Sequence, residues 1–153
     1  MISSIEELRS AKAILEETKE DLRSQGVPFD ESVQSGIMVE VPSAAILSDH
    51  FARETDFFSI GTNDLIQYAV AVDRGNEKLS HLYSQYHPAV LRLIKTVLDN
   101  GKAAGIRVGM CGEAAGDPKL IPILLGMGLT EFSMNPSSIL QARWILRNLR
   151  KSD

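Results

Sequence analysis

Four short apolar runs alternate with helix-forming stretches along this chain, and that alternation constrains the fold more than any other feature. The runs are Gly36-Ile37-Met38-Val39-Glu40, Phe57 to Gly61, Val108 to Cys111 and Glu131-Phe132-Ser133-Met134. Parallel strands need a crossover of a dozen or more residues, usually a helix. The order α-β-α-β-α-β-α-β-α therefore implies an α/β fold with a parallel sheet and right-handed crossovers.

The intervening stretches carry helix signals. Ser3 or Ser4 with Glu6 or Glu7 forms a capping box, Ile5, Leu8, Ala11, Leu15 and Leu22 supply an apolar stripe, and Gly26 and Pro28 end it. Pro42 suits the first turn of a second helix carrying Ala45, Ile46, Leu47 and Phe51. Leu65 to Val72 has no clear period and reads as irregular or short helix, and Asp73 to His87 reads as a long polar loop. Pro88 opens a third long helix with Leu91, Ile94, Val97 and Leu98 on its face, punctuated by Gly101 and Gly105. Asp117-Pro118 starts another, ending at Gly126 to Gly128, and Asn135-Pro136 caps the last, with Ile139, Ala142, Ile145 and Leu149 expected inward.

At 153 residues the chain fits one domain, residues 1–153. It is about half of an eight-stranded barrel of ~250 residues. Two architectures satisfy the alternation: an open four-stranded sheet, or half of a barrel cut from a larger chain. Met1-Ile2 directly precedes a capped helix, which favours the cut. A net charge of −4 with scattered Lys and Arg argues against nucleic-acid and membrane-surface partners. A single cysteine, no spanning apolar stretch and no signal peptide imply a cytoplasmic location.

Polar residues gather at the strand ends, the rim where parallel α/β proteins place their chemistry. A charge such as Glu40 at the end of a buried run is costly unless paired or coordinated; it either caps the next helix or holds a cation. Asn63-Asp64 follows Gly61, which permits close backbone approach, and is either a turn pair or a ligand pair. Glu40 and Asp64 on adjacent strands could share one hard cation; two carboxylates with open positions suit Mg²⁺. Arg74 lies in the long loop, either solvated or gripping phosphate oxygens with its planar fork. Cys111 sits between Gly109 and Gly112. It has no convincing catalytic partner among His50, His81 and His87. A mostly protonated thiol suits a proton donor better than a nucleophile, with a small core residue as the competing reading.

Together the segments Gly36–Pro42, Asp56–Leu65, Ala71–Asn76, Gly109–Glu113 and Leu124–Gly128 resemble the C-terminal domain of the enzyme I family of the bacterial phosphotransferase system. These are phosphoenolpyruvate–protein phosphotransferases. Asp73 to Tyr83, ending Ser80-His81-Leu82-Tyr83, favours enzyme I over pyruvate phosphate dikinase and phosphoenolpyruvate synthase.

The resemblance implies strands five to eight of a (β/α)₈ TIM-type barrel with flanking helices. It implies Mg²⁺ on Glu40 and Asp64, substrate contacts from Asn63, Asp64 and Arg74, and protonation of the pyruvate enolate by Cys111. In that family the phosphoryl group passes to a histidine, then to a histidine-containing phosphocarrier protein that feeds sugar transport. The family's other two substrate arginines and its phosphorylatable histidine match nothing here, so the isolated chain is expected to be inactive and to associate with copies of itself. Val41 stands where a threonine is frequent, beside Glu40, and Asn135-Pro136 departs at a helix start. Two other readings are a Mg²⁺-dependent pyruvate-enolate lyase and a non-catalytic half-barrel assembly unit.

Overall fold

The structure, a computed structural model, describes residues 1–150. Helix α1 (Ile5–Ser24) leads into β1 (Gly36–Val39), and α2 (Pro42–Ile46) and α3 (Ser48–Phe51) lead to β2 (Phe57–Gly61). Then come α4 (Thr62–Val70), a 3₁₀ turn (Glu77–Leu82), α5 (Pro88–Ala104) and β3 (Arg107–Cys111). A second 3₁₀ turn (Glu113–Gly116), α6 (Leu120–Met127), β4 (Glu131–Phe132) and α7 (Pro136–Asn148) complete the order.

The four strands form one parallel sheet in the order β1-β2-β3-β4. When every right-handed crossover steps to the next strand in the same direction, all the connecting helices fall on one face. Alternating burial agrees with that geometry. Ile37, Val39, Phe58, Ile60 and Met110 are buried against Ala44, Ala45, Phe51, Val90, Ile94 and Val97. Their sequence neighbours Gly36, Met38 and Arg107 are exposed, and Phe57, Ser59 and Cys111 are half-buried. A doubly wound sheet would cover both faces; this parallel four-stranded sheet leaves one face open, an arrangement consistent with a partial α/β barrel.

Local chemistry explains the element boundaries. Ser4 and Glu7 complete the capping box at α1, and Gly26 (φ 67°) follows its end. Pro42, Pro88 and Pro136 occupy first helical turns, where their missing N–H is unneeded. The second expected helix is broken at Leu47 into α2 and α3. The ambiguous stretch after Gly61 is helical and starts earlier than Leu65, so Asn63 and Asp64 lie in the first turn of α4. Two stripes are narrower than expected: α1 buries only Leu8, and α7 buries only Ala142 while Ile139 is exposed. Both helices sit at the ends of the element order, so few neighbours cover them.

Candidate functional site on the sheet rim

The register brings the rim residues together. Gly61 pairs with Cys111, and Val39, the last residue of β1, pairs with Ile60. Glu40 therefore leaves β1 beside Gly61. A side chain at Gly61 would come within 2.9 Å of Glu40 Cβ, 3.0 Å of Glu40 Oε2 and 3.0 Å of Met38 Sδ. The bare backbone there is what lets Glu40 and Met38 crowd over β2. Gly112 is similarly constrained: its φ of 105° is left-handed, and a Cβ would meet Thr62 Oγ1 at 2.5 Å.

One cavity of about 240 Å³ is lined by Met38, Glu40, Gly61, Thr62, Asn63, Asp64, Arg74, Cys111 and Gly112. Every site residue expected from the sequence borders it. The structure also bears on the alternative structural readings of these residues. Val41, not Glu40, is the N-cap of α2, and no side chain caps that helix. Glu40 is half-buried, with its Oε1 3.6 Å from the Met1 ammonium. Asn63 and Asp64 open a helix rather than a turn, and Asn63 Oδ1 accepts the Glu113 N–H at 3.3 Å. Arg74 is exposed, but its backbone N–H donates to Gln67 Oε1 at 3.1 Å, which ties its loop to α4.

Cys111 is not a core residue. Its half-buried thiol lies on the open face, donates toward Met38 Sδ at 3.4 Å and accepts from Ser59 Oγ at 3.4 Å. Thr62 Oγ1 donates to the Cys111 carbonyl at 3.3 Å and locks the strand end.

Several of these neighbours are invisible to motif reading. Ser59 and Met38 reach Cys111 diagonally across strands, so only the register reveals them. Tyr83 donates its hydroxyl to the Asn63 carbonyl at 2.9 Å, from 20 residues away. Burial raises the Tyr83 phenol above its ordinary pKa, so it remains a donor at neutral pH. Of the histidines, His87 is occupied as the N-cap of α5, where its Nδ1 accepts the Ala89 N–H.

Among the described residues no three His, Cys, Asp or Glu side chains cluster as a self-sufficient metal cage. Glu40 and Asp64 on one cavity still fit a hard cation that keeps water and substrate oxygens among its ligands, as Mg²⁺ does. An adjacent arginine suits a phosphate group.

The α/β rim offers two carboxylates, an amide, an arginine and a thiol at the strand C-termini, where parallel α/β proteins place their sites. The PEP-utilising enzyme, PEP-binding domain family matches residues 1–151, and the chain belongs to that family. It is 54% identical over 153 residues to the phosphoenolpyruvate-protein phosphotransferase of Staphylococcus carnosus (strain TM300), covering all of this chain and 27% of that protein. It is 56% identical over 153 residues to the protein of the same name from Priestia megaterium, again covering 27% of it. With the Enterococcus faecalis (strain ATCC 700802 / V583) counterpart it is 54% identical over 149 residues, 97% of this chain and 26% of that protein. The chain thus spans about 27% of the length of these relatives.

Proposed function

We propose that this chain forms strands five to eight of a (β/α)₈ barrel in a phosphoenolpyruvate–protein phosphotransferase, and that its rim binds phosphoenolpyruvate. The observation that carries this reading is the single cavity shared by Glu40, Asn63, Asp64, Arg74 and Cys111. The four missing strands would close over the open face, where Met38 is 38% exposed. Without them, that face and the free edges of β1 and β4 would associate with a second copy. Sedimentation of the 153 residues as a clean monomer at micromolar concentration would contradict that.

In the proposed reaction Arg74 grips the phosphoryl oxygens, and Asn63 and Asp64 orient the substrate. Glu40 and Asp64 would hold Mg²⁺, which when bound offsets charge on the phosphoryl group and the developing enolate. The P–O bond to the enol oxygen breaks and the phosphoryl group goes to a histidine supplied from elsewhere in the protein. The enolate methylene carbon then takes the Cys111 proton, giving pyruvate and a thiolate. Ser59 already donates to that sulfur and would stabilise the thiolate. The histidine-containing phosphocarrier protein would receive the phosphoryl group next, in the cytoplasm, and so drive sugar uptake.

The test is pyruvate release from phosphoenolpyruvate by the full-length protein, with the carrier protein as acceptor. Release that requires Mg²⁺ and falls sharply in Glu40→Gln is expected. Release independent of both would overturn the assignment. The 153 residues alone should release none.

A further inference from the structure

The segment between α4 and α5 carries Arg74, and it is fastened at both ends. At its start the Arg74 N–H donates to Gln67 Oε1 and the Val72 N–H to the Gln67 carbonyl at 3.1 Å. Its return half ends on one carboxylate oxygen. Tyr86 donates its hydroxyl to Asp117 Oδ2 at 2.6 Å, and Gln85 Nε2 donates to the same oxygen. The other oxygen of that carboxylate, Oδ1, accepts the N–H groups of Lys119 at 2.7 Å and Leu120 at 3.1 Å, at the start of α6.

Asp117 therefore divides its two oxygens between two tasks. Capping α6 explains Oδ1 alone. It gives no reason for Oδ2 to collect two donors from a segment 31 and 32 residues earlier in the chain. The charge state fits both tasks. Burial pushes the Asp117 carboxyl up, but the Tyr86 hydroxyl and the two backbone N–H groups outweigh burial and hold it below the ordinary value. The same bond raises Tyr86 above its ordinary pKa, so the phenol keeps its proton. Gln85 and Asp117 also border a cavity of about 350 Å³ together with Gly112 and Glu113, the residues that follow Cys111.

We propose that Asp117 is a positioning residue that ties the Arg74 loop to the segment after β3, so that Arg74 and Cys111 are carried on one frame. The ligand named in the test rests on the phosphoenolpyruvate reading above; the anchor itself does not. If the loop comes loose, only a fraction of molecules present Arg74 to substrate, and the apparent affinity falls by that fraction. Saturating substrate recovers the ordered form, so KM moves and kcat does not.

Two variants separate anchoring from capping. Asp117→Asn keeps an oxygen for the α6 N–H groups but turns the other acceptor into a donor. Tyr86→Phe removes a loop donor and leaves the cap untouched. In the full-length protein, hydrogen exchange across residues 73–87 should quicken about tenfold in either variant, while 120–127 stays protected. The double variant should be no faster than Asp117→Asn alone, since both remove one interaction. KM for phosphoenolpyruvate should rise about fivefold, with kcat within about twofold of the parent.

Unchanged exchange in 73–87, additive effects in the double variant, or a fall in kcat without a rise in KM would each overturn the proposal. Phosphoenolpyruvate also should slow exchange of 73–87 in the unsubstituted protein. If it does not, the ligand reading fails, and the coupling between the two variants still decides the anchor.

Discussion

The two faces of this sheet are built from the same strands and do opposite work. On the helix-covered face Ile37, Val39, Phe58, Ile60 and Met110 are buried in one apolar cluster. On the open face the alternate residues are Gly36, Met38, Phe57, Ser59, Gly61, Arg107, Gly109 and Cys111; beyond the Phe57–Arg107 pair they are small or polarisable groups ending in the charged rim. Period-2 alternation lets one strand serve both faces without conflict. Stability is concentrated on the first face, while space and donor groups are left on the second.

That contrast can be broken from either side. The largest effect on stability is expected from Phe58→Ala, which empties the centre of the covered face: about 3–5 kcal/mol in urea unfolding. Cys111→Ala, which removes the proposed proton donor, should act on the open face instead, slowing pyruvate formation about 10²–10⁴-fold in the full-length protein with little change in the unfolding midpoint.

Gly61→Ala probes the boundary between the faces. Its new methyl would press on Glu40 and Met38, so a cost of about 1–3 kcal/mol is expected together with weakened substrate binding. Ser59→Ala removes a single donor to the sulfur, and a slowing of about fivefold follows from a hydrogen bond worth roughly 1 kcal/mol. If Ser59→Ala altered stability more than turnover, the division between faces would be wrong.

The smallest effect concerns pH. The Asp117 carboxyl sits below its ordinary value of 3.8 in the folded chain, so its contribution is present above that value and is lost as pH falls through the folded pKa. Protection of the 73–87 loop, taken relative to each amide's intrinsic exchange rate at the same pH, should be constant through neutral pH and fall only in acid, below the ordinary carboxylate value.

The strands and their rim were largely legible in the sequence, but the division of faces was not, because Ile37-Met38-Val39 and Phe57-Phe58 are apolar at consecutive positions. The apolar runs located all the strands, and the polar residue after each run located the rim. What was not legible depended on the third dimension. Leu65 and Ile66 are both buried, so α4 carries no clean polar face at its start and its period is blurred. Asn63 and Asp64 consequently read as strand-end residues although they begin a helix.

Ile139 has the spacing of a core residue, but α7 meets too few neighbours to bury it. Tyr83, Ser59 and Asp117 act through contacts 20, 52 and 31 residues away in the chain, and no local pattern announces such partners. Glu40, Asp64, Arg74 and Cys111 could be nominated because their chemistry stands out locally, and their strand-end placement already put them on a common rim; the partners that hold them there, such as Ser59 and Tyr83, could not be nominated.

The central claim is that the rim residues form one Mg²⁺-dependent phosphoenolpyruvate site, and its most direct test is calorimetric titration of the full-length protein with phosphoenolpyruvate. Binding is expected with Mg²⁺ present and should be lost on chelation or in Asp64→Asn. Equal affinity with and without Mg²⁺, unchanged by Asp64→Asn, would contradict it.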